Sequence, residues 1–226
     1  MIGSVIMNNL SLIFMIFDKK HEKKYKFLLD IYKVKYRVVL YGNGTASSSV
    51  LQYFGLNEIK REVLLAITPT ITSKYILKQL DQKFKISEPG NGIAFTVPLS
   101  SSTKNMQDVY KNIDLEDIDM EDANKHLIIT IVNSGYAEEV MNAAKKKGAT
   151  GGTTLNGRGL ETEKIVKFLG ISIEPEKDVV LILANEDVKN DIMDSILSSV
   201  GLNTLGKGIS FSLPVSHVVG LKNVVQ

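Results

Sequence analysis

The chain has 226 residues, 44% of them hydrophobic and 23% charged, with a net charge of +2. These values suit a soluble globular protein of one or two domains, and the near balance of charge excludes nucleic acid held by a broad basic field. The absence of cysteine excludes disulfides, thiolate metal sites and a thiol nucleophile, and fits a cytoplasmic protein.

Residues 1–17 are rather apolar, but they lack a basic leading segment and are interrupted by Asn8 and Asn9. They also fall short of the roughly 20 residues of a spanning helix, so neither a signal peptide nor membrane insertion is expected. Residues 12–17 read as a buried strand. Further strands are expected at 36–41, 62–68 and 92–97, with helices over 20–32 and 71–84. The second helix carries Ile76, Leu77, Leu80 and Phe84 on one side.

Residues 100–124 hold Asp108, Asp114, Glu116, Asp117, Asp119, Glu121 and Asp122 against Lys111. They read as a solvated, partly helical linker. Calcium and other metals are not expected there, because the turn glycine and the ligand spacing of a calcium loop are missing.

An apolar β-branched run at 127–132 is the next strand. Ala137, Val140, Met141 and Ala144 follow at helical spacing, and Lys145-Lys146-Lys147-Gly148 ends that helix with cations and a left-handed cap. Strands are expected at 150–155, 179–184 and 208–214. The connection 156–178 is expected to hold a short amphipathic helix with Ile165, Phe168 and Leu169 on one side. Val188, Ile192, Ile196 and Val200 mark the last helix, behind Asn185, Glu186 and Asp187.

The two halves repeat each other. Gly90-Asn91-Gly92-Ile93-Ala94-Phe95 returns as Gly206-Lys207-Gly208-Ile209-Ser210-Phe211, a shift of 116. Tyr41-Gly42-Asn43-Gly44 returns as Asn156-Gly157-Arg158-Gly159, and Leu12-Ile13-Phe14 as Leu127-Ile128-Ile129, both at 115. So long a period marks a duplicated domain, since solenoid repeats run to about 20–50 residues. Each half has the order strand, helix, strand, strand, helix, strand. The expected fold is α+β: tandem ferredoxin-like (βαββαβ) modules, antiparallel sheets with the helices on one face. The modules span 10–101 and 125–220, joined by the acidic linker 102–124.

The strand at 125–132, the Gly148-Ala149-Thr150-Gly151-Gly152-Thr153-Thr154 turn, the long connection, Phe168-Leu169-Gly170 and the segment 206–215 together resemble the nitrogen regulatory P-II family. The likeness covers residues 125–220 and reaches 10–101 through the repeat. It implies a signal-transduction protein in the regulation of nitrogen metabolism. Such a protein forms a homo-oligomer, with a trimer favoured. It binds ATP, ADP or AMP between modules, with or without 2-oxoglutarate, and controls a transporter or enzyme through the mobile loop 156–178. The chain departs from the family in three places. Gly206-Lys207-Gly208-Ile209 stands where the family has Gly-Asp-Gly-Lys. Ser216-His217-Val218-Val219-Gly220 replaces a pair of arginines, and the loop has no tyrosine to modify.

Glycine lets backbone N–H groups approach an anion closely and form a concave nest, and a cation beside it completes a phosphate site. The residues expected to hold the effector are therefore Gly157, Arg158 and Gly159 with Gly206, Lys207 and Gly208. The first half has Asn43 and Asn91 in place of the two cations, so its copy is expected to be structural. A turn that merely shapes the chain is the competing reading of the same glycines.

No catalytic residues are expected. His21, His126 and His217 form no ligand pattern, and the Thr153-Thr154 and Ser47-Ser48-Ser49 runs have no base beside them. The chain is not expected to be an enzyme or to carry a cofactor. Two other readings share the element order or the fold: a tandem amino-acid-sensing module of the ACT type, and an interaction scaffold without ligand.

Overall fold

The computed structural model describes residues 5–7, 9–45, 59–110, 115–159, 166–168, 171–173 and 176–221. They fall into two compact units. One takes Met1–Leu40, Arg61–Asn124 and Pro214–Gln226, and the other Tyr41–Lys60 and Lys125–Leu213. The division departs from a plain cut between the halves, for reasons of strand pairing given below.

In the first unit, β1 (Val5–Met7) pairs with β6 (Ser101–Thr103) as a small separate ribbon. The main sheet is built on β2 (Leu10–Phe17), which pairs antiparallel with β4 (Ile59–Pro69) on one side and β5 (Ile93–Pro98) on the other. The strand β3 (Tyr36–Gly44) lies beyond β4; its residues 36–40 belong to this unit. The order β3-β4-β2-β5 is that of a ferredoxin-like module, and α1 (Glu22–Ile31) and α2 (Thr70–Gln82) supply its helices. Because side chains alternate along a strand, Ile13, Met15 and Phe17 share one face and form the core with Leu64 and Ala66 of β4. Tyr25, Leu28 and Leu29 of α1 and Ile76, Leu77 and Leu80 of α2 close over them.

Two tail segments complete this unit. The strand β13 (His217–Val219) pairs with the outer edge of β5, which is why residues 214 onward leave the second half. The acidic linker is less solvated than its charge suggests. After a short helix α3 (Lys104–Asp108), Tyr110 donates its hydroxyl to the Ile67 carbonyl at 2.7 Å and accepts from the Lys35 N–H at 3.2 Å. Lys74 holds Asp117 at 3.0 Å, the Tyr75 hydroxyl donates to the Glu116 carbonyl, and Ala123 N–H donates to Ser216. Met120 packs on the core.

The second unit repeats the plan. Its sheet has β7 (Lys125–Asn133) between β12 (Ile209–Val215) and β11 (Glu176–Asn185), with β8 (Thr153–Arg158) beyond β11. Helices α4 (Ala137–Lys145) and α5 (Glu186–Val200) cover one face. Ile128, Val132, Val140, Met141, Ala144, Val180, Ile182, Ile192 and Ile196 make its core. Gly148, at φ +97°, takes the left-handed position that ends α4. Residues 42–44 pair with Thr153–Leu155 of β8, which brings 41–45 into this unit.

One expectation is corrected. Where a short amphipathic helix was expected inside 156–178, β9 (Val166–Phe168) pairs antiparallel with β10 (Ile171–Ile173), with Phe168 in register with Ile171. Three-residue apolar–polar–apolar runs carry the period of a strand, and this alternation prevails over the helical spacing of 165, 168 and 169. Ile165 and Leu169 lie outside the described residues.

The duplication places an acid at the same buried point in each unit. Glu62 lies opposite Phe17, and Asp178 opposite Val132; they are 3% and 6% exposed. Burial, followed by the nearby carboxylate of Glu22, raises the pKa of Glu62 above the ordinary glutamate value of 4.5. Its Oε2 has no hydrogen-bond partner among the described residues. The folded state thus binds the proton more tightly than the unfolded chain, and stability present below about pH 4.5 is lost as pH rises through the raised value. Glu62→Gln is expected to unfold at higher urea than the parent at neutral pH. The difference should close on acidification, as urea midpoints at several pH values will test.

Candidate functional site

The second unit contains a cleft of about 430 Å³, within the range of small-molecule sites. It lies along α4, on the face where the helices pack. Thr154 is in register with Val180 of the core, and Asn156 with Asp178, so both β8 side chains lie on that face. Asn43 is in register with Thr154, and Gly44 and Thr45 extend the wall beyond it. The helix contributes Glu138, Met141, Asn142 and Lys145, and the turn before it Ser134 and Gly135.

Charge is distributed unevenly along this cleft. At one end, Asp178 is buried and accepts the Gly135 N–H at 2.9 Å, while Glu138 lies in the first turn of α4, where the helix dipole favours an anion. At the other end, Lys145 Nζ donates to the Thr45 carbonyl at 3.3 Å. Thr45 is fixed by its own bonds. Its N–H donates to the Gly152 carbonyl and its Oγ1 accepts the Gly152 N–H, each at 2.9 Å. Between the two ends Thr154 is 7% exposed, and its Oγ1 has no hydrogen-bond partner among the described residues. A buried hydroxyl without a partner costs about 1–3 kcal/mol, so the cleft contains one polar group that a ligand can satisfy.

The sequence-expected residues lie elsewhere. Gly157 and Arg158 end β8, in register with Lys177 and Glu176, and Gly159 follows the strand. Gly206, Lys207 and Gly208 form the turn before β12, where the Gly206 carbonyl accepts the Asn133 N–H. Both groups therefore sit at the same end of the sheet. Strands β7 and β11 run between them, a span on the order of 14 Å at about 4.8 Å per strand.

The nest expected at 206–208 is not formed. Gly206 N–H donates to Thr204 Oγ1, Lys207 N–H to the Thr204 carbonyl, and Gly208 N–H to the Val200 carbonyl at 2.5 Å. All three donors are spent on closing the turn against the end of α5. A Cβ on Gly208 would lie 2.5 Å from the Val200 oxygen, so this glycine serves close packing. The Asn91 side chain donates to the Lys85 carbonyl, whereas Asn43 lines the cleft of the second unit. Sequence reasoning missed Ser134, Glu138, Asn142, Lys145, Thr154, Asn156 and Asp178. The available signal was an acid at 178 directly before an apolar strand.

No family model and no curated protein matches the chain. Among solved structures, it is similar to PII of Arabidopsis thaliana bound to citrate, at 23% identity, over 42% of this chain and 78% of that one, with a TM-score of 0.32. It is similar to CPII bound to ADP, AMP and acetate from Thiomonas intermedia K12, at 16% identity, over 46% and 96%, with a TM-score of 0.34. It is also similar to the ligand-free regulatory subunit of aspartate kinase from Thermus thermophilus, at 13% identity, over 88% and 98%, with a TM-score of 0.27. Likenesses this distant assign no ligand and no activity. Among the described residues, no group of acids and histidines is suited to hold a metal, and no helix is long and apolar enough to cross a membrane.

Two substitutions separate the cleft from the turn. Thr154→Val removes the unpartnered hydroxyl at nearly constant volume and is expected to stabilise the ligand-free protein by about 1 kcal/mol. Gly208→Ala keeps every N–H of the turn but forces it off α5, and is expected to cost about 1–3 kcal/mol. Chemical denaturation of the two variants measures both.

Proposed function

We propose that the protein is a non-catalytic regulatory module whose effector is a small dipolar molecule of the amino-acid class, held in the cleft of the second unit. The observation that carries this reading is the polarity of the cleft, with Lys145 at one end, Asp178 and Glu138 at the other, and the unpartnered Thr154 hydroxyl between. A carboxylate directed at Lys145 and Thr154, with an ammonium directed at Asp178 and Glu138, matches each group with its complement. The phosphates of a nucleotide would meet two carboxylates instead. This favours the amino-acid-sensing alternative over the P-II-like one.

The P-II-like reading retains one specific support. Arg158 is exposed where β8 leads into the long connection, and Lys207 is exposed at the same end of the sheet. In that reading an adenine nucleotide or another anion binds there, and the 156–178 segment carries the signal to a transporter or enzyme.

A thermal-shift and calorimetric screen of the amino acids, ATP, ADP, AMP and 2-oxoglutarate distinguishes the two. An amino acid is expected to bind, with affinity falling about 10- to 100-fold in Lys145→Gln through loss of a charge-assisted hydrogen bond. Arg158→Ala and Lys207→Ala should leave that affinity unchanged. Binding of a nucleotide that is lost in Arg158→Ala and untouched by Lys145→Gln would replace this reading with the P-II-like one. No binding of any of these compounds would leave the scaffold.

A further inference from the structure

The helix Glu22–Ile31 keeps one acid, Glu22, in its first turn but surrounds it with lysine, unlike its counterpart in the second unit. Five lysines lie among residues 19–26. They outnumber Asp18 and Glu22 at the end of the helix where the aligned peptide dipoles already place positive charge, so the excess works against the helix. Ala137–Lys145 opens instead on Glu138 and Glu139, as the dipole favours. The two helices correspond at the shift of 115, since Tyr25, Leu28 and Leu29 are buried in one and Val140, Ala143 and Ala144 in the other.

The outward faces have diverged, and so has one inward position, since exposed Lys26 corresponds to Met141 of the second core. Lys24 turns toward the fold, its Nζ donating to the Phe84 carbonyl at 3.5 Å and lying 4.9 Å from the centre of the Tyr25 ring. Lys19, Lys20, Lys23 and Lys26 are exposed. Among them stand Phe27 and Ile31, 61% and 54% exposed and one helical turn apart, on the same side as Lys23. Their counterparts in α4 are Asn142 and Lys146, both polar. Of the acids in this segment, Asp30 is held by Arg37 at 2.5 Å, Asp18 accepts the Lys20 N–H and Glu22 is half-buried, so the four exposed lysines still leave the face positive. A face that gives up helix stability and exposes two large apolar side chains, where the other copy does neither, departs from local consistency in the way binding surfaces do.

We propose that this face docks on an anionic phospholipid surface. Phe27 and Ile31 enter the headgroup boundary, and Lys19, Lys20, Lys23 and Lys26 lie among the phosphates. Two features favour lipid over protein as the occupant. Lysine is a compact point charge without a directional fork, which suits a fluid array of phosphates and is depleted from protein interfaces. Single apolar side chains standing out from a convex helix find room in a bilayer boundary, whereas a protein partner must supply a matching pocket. The attachment is peripheral and adds no spanning segment.

Co-sedimentation of the full chain with vesicles tests this, using phosphatidylcholine alone and phosphatidylcholine mixed with phosphatidylserine. Partition is expected with the mixed vesicles only and should weaken as salt is added. Each of Lys23→Gln and Lys26→Gln should lower it roughly fivefold, and Phe27→Ser should lower it further. Lys146→Gln with Lys147→Gln, just past the end of the other helix, should leave it unchanged. All substituted sites are exposed, and circular dichroism will check that each variant folds. Partition that is absent, equal on both vesicles, or equal in all variants overturns the proposal. Binding of a DNA duplex or an acidic protein that these variants abolish, with vesicles left unbound, overturns it as well and assigns the face to that partner.

Discussion

The Gly135 N–H donates to a carboxylate that the fold has removed from water, and the arrangement of the cleft follows from that bond. Asp178 enters the core side of β11 because register places it opposite Val132, a position that faces the helices. Once there, it fixes the turn that starts α4, and so sets where Glu138, Asn142 and Lys145 stand along the helix. A charge-assisted bond contributes about 1.5–3 kcal/mol, whereas taking a carboxylate out of water costs several kcal/mol. On the proposed reading, the ammonium of an effector supplies part of the difference, so binding and local stability draw on the same group. The first unit buries Glu62 at the same point, where its Oε2 has no hydrogen-bond partner among the described residues, and its carboxyl meets burial by holding its proton more tightly.

Two units with the same strand order supply a comparison that a single module lacks. Both units keep the same strand order, and Tyr25, Leu28 and Leu29 answer to Val140, Ala143 and Ala144 on the inward sides of α1 and α4, although the residues differ in size and Met141 of the second core answers to exposed Lys26. Most positions that line the cleft in the second unit are changed in the first, though the buried acid is kept as Glu62. Thr154 corresponds to Val39, which packs against the first core, Lys145 to Asp30, and Glu138 to Lys23. Both charges are reversed and the hydroxyl is replaced by a methyl, so a carboxylate would meet Asp30 where the second unit offers Lys145. The proposed effector site thus has no chemical counterpart at the equivalent place in the first unit.

The element order was legible in the sequence because the apolar spacing of each run is long and unambiguous, as in 127–132 and 188–200. Strand ends were less legible. Thr153–Arg158 starts later than expected and runs on through Gly157, since its pairing with β11 outweighs the low strand preference of Asn and Gly. The hairpin at 166–173 was misread because its two short runs fit either period. The cleft was hidden for a different reason. Its walls come from 43–45, 134–145, 154–156 and 178, and no local spacing links them; only the register of β8 against both of its neighbours does. The glycine turn at 206–208 was legible as a turn, but its N–H groups were not assignable until the end of α5 at Val200 was in place to accept one of them.

The two unusual features of the chain then fall on different copies. An effector site needs enclosed polar groups, and enclosure comes from the cleft of the second unit, where an unpartnered hydroxyl costs stability until it is filled. A docking face needs exposed charge and apolar area, which a convex helix offers without disturbing any core. Lysines at the start of α1 weaken that helix by a few tenths of a kcal/mol each at an exposed site, and the buried Tyr25, Leu28 and Leu29 hold it in place regardless. Each cost is therefore carried where the fold can bear it. Had one module held both features, the unfilled polar cleft and the destabilised helix would have weakened the same small core. Separation between copies lets each be retained.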